Sequence, residues 1–253
     1  MAALYWAKLW LIMAIVMIAL LACEKAGQHS LSNNTDEPND GVRQQNVAAV
    51  STHSPDKHEA ADPHVKLIPD KLAQVALQHR AEGRIDEAIS SLNLSIKTYP
   101  NNAYLFAVRA SLLMEIEKYD LALQDLNKAA ILDPEDALVL VNRAQVYRQQ
   151  EHIENALDDL NRAIQVNPDL LAAYFNRGAI FLNQGETEKA LADFNTCITL
   201  QPNTPAPYFN RATIHFSNNQ TKAAIADLKR FIQLSDSDEW KNQANTLINK
   251  WSS

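Results

Sequence analysis

The chain has 253 residues, 47% of them hydrophobic, and a formal net charge of −7. Its five glycines are too few for glycine-rich phosphate-binding loops, and its acidic balance without a basic cluster argues against nucleic-acid binding. The two cysteines, Cys23 and Cys197, supply neither a disulfide framework nor paired zinc ligands. The length permits one or two domains, and the abundant alanine, leucine, asparagine and glutamine favour helices.

An apolar segment opens the chain at residues 4–22, and only Lys8 interrupts it. A cationic side chain, an apolar core and a small residue at the end are typical of an export signal. The four residues Leu-Leu-Ala-Cys at positions 20–23 resemble the lipobox of bacterial lipoproteins. In that family the cysteine is diacylglycerated, the signal peptide is removed in front of it, and the new amino terminus is acylated. The resemblance implies a lipoprotein signal peptide at residues 1–22 and lipidation at Cys23.

An uncleaved single-pass anchor is the alternative for this segment, because its length approaches the ~20 residues that a membrane-spanning helix needs. Both interpretations place the rest of the chain outside the cytoplasm. Enteric lipoproteins that stay in the inner membrane have aspartate after the cysteine, whereas this chain has Glu24 there. The resemblance therefore implies an outer-membrane lipoprotein that faces the periplasm.

Residues 23–66 are polar, contain three scattered prolines and show no apolar period, so we predict a disordered tether. A coil of this length spans about 35 Å. Histidines and carboxylates cluster within it, at His53, Asp56, His58, Glu59, Asp62 and His64. Metal binding is the weaker interpretation of this cluster, because ordering a flexible segment around a metal costs conformational entropy. We therefore predict no metal site and no cofactor.

From about residue 69 the sequence repeats at an interval of 34 residues, and five columns of residues recur at that interval. The columns are Pro100, Pro134, Pro168 and Pro202; Ala76, Ala110, Ala144, Gly178 and Ala212; Ala88, Ala122, Ala156, Ala190 and Ala224; Leu92, Leu126, Leu160, Phe194 and Leu228; and Ile89, Leu123, Leu157, Leu191 and Ile225. The two small residues of each unit let a pair of antiparallel helices approach closely, and the proline ends the second helix.

This pattern resembles the tetratricopeptide repeat over residues 69–236. The resemblance implies an all-α fold, a right-handed α-solenoid of five helical hairpins within residues 67–236. The predicted units are at about 69–102, 103–136, 137–170, 171–204 and 205–236. Residues 237–253 are predicted to form a capping helix that covers the end of the stack. Its apolar stripe at helical spacing consists of Trp240, Ala244, Leu247, Ile248 and Trp251.

Charged and amide residues follow the same interval. The charged columns are Arg109, Arg143, Arg177 and Arg211, and Asp125, Asp159, Asp193 and Asp227. The first repeat lacks both, with Val75 and Ser91 in their places, and this joint loss predicts that each arginine pairs with the aspartate sixteen residues later. A row of ligand-binding arginines is the alternative. We also predict hydrogen bonds between helices for two recurring sets of asparagines, Asn127, Asn161 and Asn195, and Asn142, Asn176 and Asn210.

In tetratricopeptide-repeat proteins the first helix of each repeat lines a concave groove that binds extended peptides or helices. The resemblance places in this groove the residues Tyr104, Ser111, Met114, Val141, Gln145, Arg148, Phe175, Ala179, Leu182, Phe209, Thr213 and Phe216. Exposed aromatic residues are typical binding hot spots, so the C-terminal half of the groove is the predicted docking site. Alternatively, Phe175 and Phe209 pack between repeats.

These patterns together predict a membrane-anchored scaffold or adaptor of the bacterial cell envelope that binds other proteins or peptide segments. The sequence shows no nucleophile–base pair, metal-ligand spacing or phosphate loop. We therefore expect neither catalysis nor a small-molecule substrate. Two alternatives stay open, namely a purely structural subunit of an envelope assembly and a metal-binding protein that uses the histidine-rich tether.

Overall fold

The computed structural model of the protein describes residues 63–252, and every regular element in that range is an α-helix. The helices are α1 (Pro63–Ala81), α2 (Ile85–Thr98), α3 (Ala103–Glu115), α4 (Tyr119–Leu132), α5 (Ala137–Gln149), α6 (Ile153–Val166), α7 (Leu171–Asn183), α8 (Thr187–Leu200), α9 (Pro205–Ser217), α10 (Thr221–Leu234) and α11 (Asp238–Ser252). The predicted signal peptide, Cys23 and the tether up to residue 62 lie outside the described residues. Within the described range, none of the helices has both the length and the apolar character needed to cross a membrane.

Helix α1 starts inside the predicted tether. The sequence pattern places the first repeat at about residue 69, where Pro69 suits the first turn of a helix as Pro205 does in α9. The helix instead continues through Pro69 to a second proline, Pro63. Residues 63–66 are therefore helical rather than part of a disordered segment.

The described residues form two compact units, 63–170 and 171–252. In the first unit the hairpins α1–α2, α3–α4 and α5–α6 are stacked, with α2 against α3 and α4 against α5. In the second unit α7–α8 and α9–α10 form two hairpins in the same way, and α11 packs against α10. The predicted all-α fold of helical hairpins is confirmed.

Small residues stand where the two helices of each hairpin meet. The alanines of the second-helix column are fully buried in every hairpin, namely Ala88, Ala122, Ala156, Ala190 and Ala224. Their first-helix counterparts Ala76, Ala110, Ala144 and Ala212 are buried as well. Because a methyl group keeps the helix axes close, large residues such as Leu92 and Leu126 fill the adjacent space.

The turn inside each hairpin needs one residue in the left-handed backbone region. Gly83 and Gly185 occupy it with φ angles of 75° and 76°, and Glu117, Glu151 and Asn219 occupy it with angles of 58° to 62°. The side chain of an L-residue makes this conformation about 1 kcal/mol less favourable than it is for glycine. Three of the five turns therefore tolerate some backbone strain, which the packing of the two helices outweighs.

Cys197 lies in the core of the second unit, at the position that the small residues Ser95, Ala129 and Ala163 hold in three other repeats. Its Sγ is 3.7 Å from the carbonyl oxygen of Leu171 at the start of α7. Burial raises the pKa of the thiol to about 12. Since the thiolate is the reactive form, this cysteine is a packing residue rather than a nucleophile.

Gly178 departs from the alanine column for a steric reason. A Cβ atom at this position would lie 3.1 Å from Cβ of Asp193 and 3.1 Å from Cε1 of Phe194. Phe194 replaces the leucine of the other repeats and is fully buried. The larger ring on α8 therefore requires the smaller residue on α7.

We predict that Gly178→Ala lowers the free energy of unfolding by about 1–2 kcal/mol, because the added methyl group overpacks this contact. In the Phe194→Leu background the same substitution should be neutral or stabilising by up to ~1 kcal/mol, since alanine is the better helix former. Urea unfolding of the two single variants and the double variant measures this coupling. An equal cost of Gly178→Ala in both backgrounds would contradict it.

Candidate functional site

The arginine and aspartate columns pair as predicted, in all four repeats that contain them. In the α5–α6 hairpin, Arg143 Nε and Nη2 donate to the two carboxylate oxygens of Asp159, each at 2.7 Å. The same two-bond geometry joins Arg109 to Asp125, Arg177 to Asp193 and Arg211 to Asp227. Each aspartate is buried, so the pair bridges the two helices at the edge of the core.

The remaining guanidinium nitrogen joins one repeat to the preceding one. Nη1 of Arg109 donates to Oδ1 of Asn93 at 2.7 Å, and Nη1 of Arg143 donates to Asn127 at 3.1 Å. In the second unit Arg211 donates to Asn195 at 2.7 Å. These arginines therefore have structural partners on two sides, which argues against the alternative that they form a ligand-binding row.

The first-helix asparagines do not all bridge helices. Asn176 donates from Nδ2 to the carbonyl oxygen of Ala172, one turn earlier in the same helix. The prediction of an inter-helix bond is therefore wrong for this residue. An amide at this position can donate a hydrogen bond to a backbone carbonyl of its own helix, because residues four apart lie on one side of a helix.

The ion pairs stabilise the charged form of the arginines. The hydrogen bond to Asp159 raises the pKa of Arg143, and Asp193 and Asp227 act in the same way on Arg177 and Arg211, although burial partly opposes the effect. Each guanidinium also lies within 6 Å of an aromatic ring centre, for example Arg143 over Tyr147 at 5.9 Å. The arginines consequently stay charged and fixed in place.

In residues 63–170, the predicted groove residues on α3 and α5 differ in their accessibility. Tyr104, Met114, Gln145 and Arg148 are partly exposed. Ser111 and Val141 are buried, so they contribute to the core rather than to an accessible surface. Four of the six predicted positions are therefore accessible in this unit.

The same surface extends onto α1, which the sequence pattern did not indicate. Arg80 lies one repeat before Met114 and its Nε is 2.6 Å from Oε2 of Glu115 on α3. Near the other end of α3, burial and the carboxylate of Asp70 raise the pKa of Tyr104. Applying the 34-residue interval to Met114 would have identified Arg80. Glu115 has no such periodic counterpart.

In residues 171–252, α7 carries three of the predicted groove residues. Phe175 and Leu182 are partly exposed, and Ala179 is buried. Phe175 and Leu182 pack against the cluster formed by Ala190, Phe194 and Ile214. The rings of Phe175 and Phe194 are 5.9 Å apart and tilted. Phe175 therefore has one side in the core and one side accessible, which combines both interpretations made from the sequence.

The predicted groove residues of α9 are covered by the C-terminal helix. Phe209 is only 3% exposed, and its ring contacts Phe231 at 5.1 Å and Trp240 at 5.7 Å. Phe216 stacks on Trp251 at 4.1 Å between ring centres. Thr213 is also buried. The prediction that Phe209 and Thr213 are accessible in the groove is therefore wrong, whereas Phe216 keeps partial exposure.

Among the described residues there is no group of three or more histidine, cysteine, aspartate or glutamate side chains placed to hold a metal ion. The partly exposed groove positions combine aromatic, thioether and amide groups on helices. Such surfaces bind peptides through side-chain contacts on a pre-formed scaffold.

Comparison with known proteins agrees with this architecture. Residues 143–204 and 206–238 match family models described as tetratricopeptide repeat, and residues 56–163 match the model of the ChAPs, or Chs5p-Arf1p-binding proteins. The fold is that of the tetratricopeptide repeats. No curated protein matches the sequence. The family models and the structural neighbours together support the tetratricopeptide-repeat family.

Three solved structures illustrate the likeness. PilF of Pseudomonas aeruginosa is 21% identical with a TM-score of 0.67, and the alignment covers 73% of this chain and 84% of that one. TTC0263 of Thermus thermophilus is 19% identical with a TM-score of 0.59, covering 70% and 97%. YrrB, described as a tetratricopeptide-repeat protein with an unusual peptide-binding site, is 18% identical with a TM-score of 0.54, covering 74% and 100%. At these identities the likeness concerns the fold.

We predict an interaction energy of about 1–3 kcal/mol between Arg143 and Asp159, because each group loses its buried partner when the other is replaced. A double-mutant cycle with Arg143→Ala and Asp159→Ala, followed by urea unfolding, measures it. Arg109→Ala combined with Asp159→Ala is the matched control and should be additive, since Arg109 pairs with Asp125. Equal coupling in both cycles would contradict the pairing.

Proposed function

We propose that this tetratricopeptide-repeat protein is a scaffold or adaptor of the bacterial cell envelope, anchored in the outer membrane through acyl chains on Cys23. Tetratricopeptide repeats mediate protein–protein interactions, and the repeats here would face the periplasm. The anchor is supported by the lipobox-like residues 20–23 and the apolar segment before them. Several acyl chains give durable attachment where a single chain gives only marginal binding.

The observation that carries the binding role is the accessibility of the first helices. In residues 63–170 the partly exposed Tyr104, Met114, Gln145 and Arg148 line α3 and α5. In residues 171–252 Phe175 and Leu182 line α7. These side chains project from rigid helices, and YrrB is described as a tetratricopeptide-repeat protein with a peptide-binding site. We therefore propose that the first helices of each unit bind partner segments, through α3 and α5 in residues 63–170 and through α7 in residues 171–252.

The accessible surfaces of the two units differ in their chemistry. The surface on α1, α3 and α5 includes the Arg80–Glu115 ion pair and the amide of Gln145, which suit polar groups and peptide amides. The surface on α7 exposes the apolar Phe175 and Leu182. The aromatic residues of α9 are not included, because Trp240 and Trp251 already cover them.

The membrane anchor leads to a direct expectation. Radiolabelled palmitate should label the wild-type protein in its native host, and Cys23→Ala should abolish the label because no other position resembles a lipobox. Mass spectrometry of the mature protein should show an amino-terminal peptide that begins at Cys23 and carries acyl chains. An unlabelled protein that retains residues 1–22 would support the uncleaved single-pass alternative and exclude the lipoprotein.

The binding surface leads to a second expectation. A photo-crosslinking amino acid at position 114 or 182 should form adducts with a partner protein in intact cells, because Met114 and Leu182 are accessible on first helices. The control position is 131 on α4, where Ile131 is 74% exposed but lies on a second helix. Adducts from position 131 alone would contradict the proposal. No adducts from any of the three positions would favour a purely structural subunit.

A further inference from the structure

We draw no further inference here: the strongest candidate, the Arg80–Glu115 ion pair between α1 and α3, belongs to the binding surface already described, and its two opposite charges select neither an acidic nor a basic partner.

Discussion

The buried aspartate of each hairpin organises the polar part of this fold. It receives two hydrogen bonds from one arginine, and that arginine gives its third to an asparagine of the preceding repeat. Because the guanidinium is planar and forked, it satisfies both partners only when the two helices and the two repeats are in register. A half-buried ion pair adds little net stability. Its role is therefore to select one register among those that the small-residue columns alone would allow.

Features that recur at the 34-residue interval could be predicted from the sequence, because each repeat meets the same neighbours. The arginine–aspartate pairs and the buried alanines are examples. Predictions failed where the neighbours change. Phe209 and Phe216 hold groove positions by interval, but the segment after them is α11, whose Trp240 and Trp251 cover them. Gly178 had no explanation from its column alone, since its size depends on Phe194 on the facing helix.

The first repeat also departs from the periodic pattern because its neighbours differ from those of the other repeats. The joint loss of arginine and aspartate at Val75 and Ser91 pointed correctly to their pairing. The structure also explains why position 75 does not hold an arginine. An arginine at position 75 would have neither its aspartate nor a preceding asparagine, so two of its polar contacts would be missing. An apolar residue is the better choice there if another surface covers it, and a polar residue if water does.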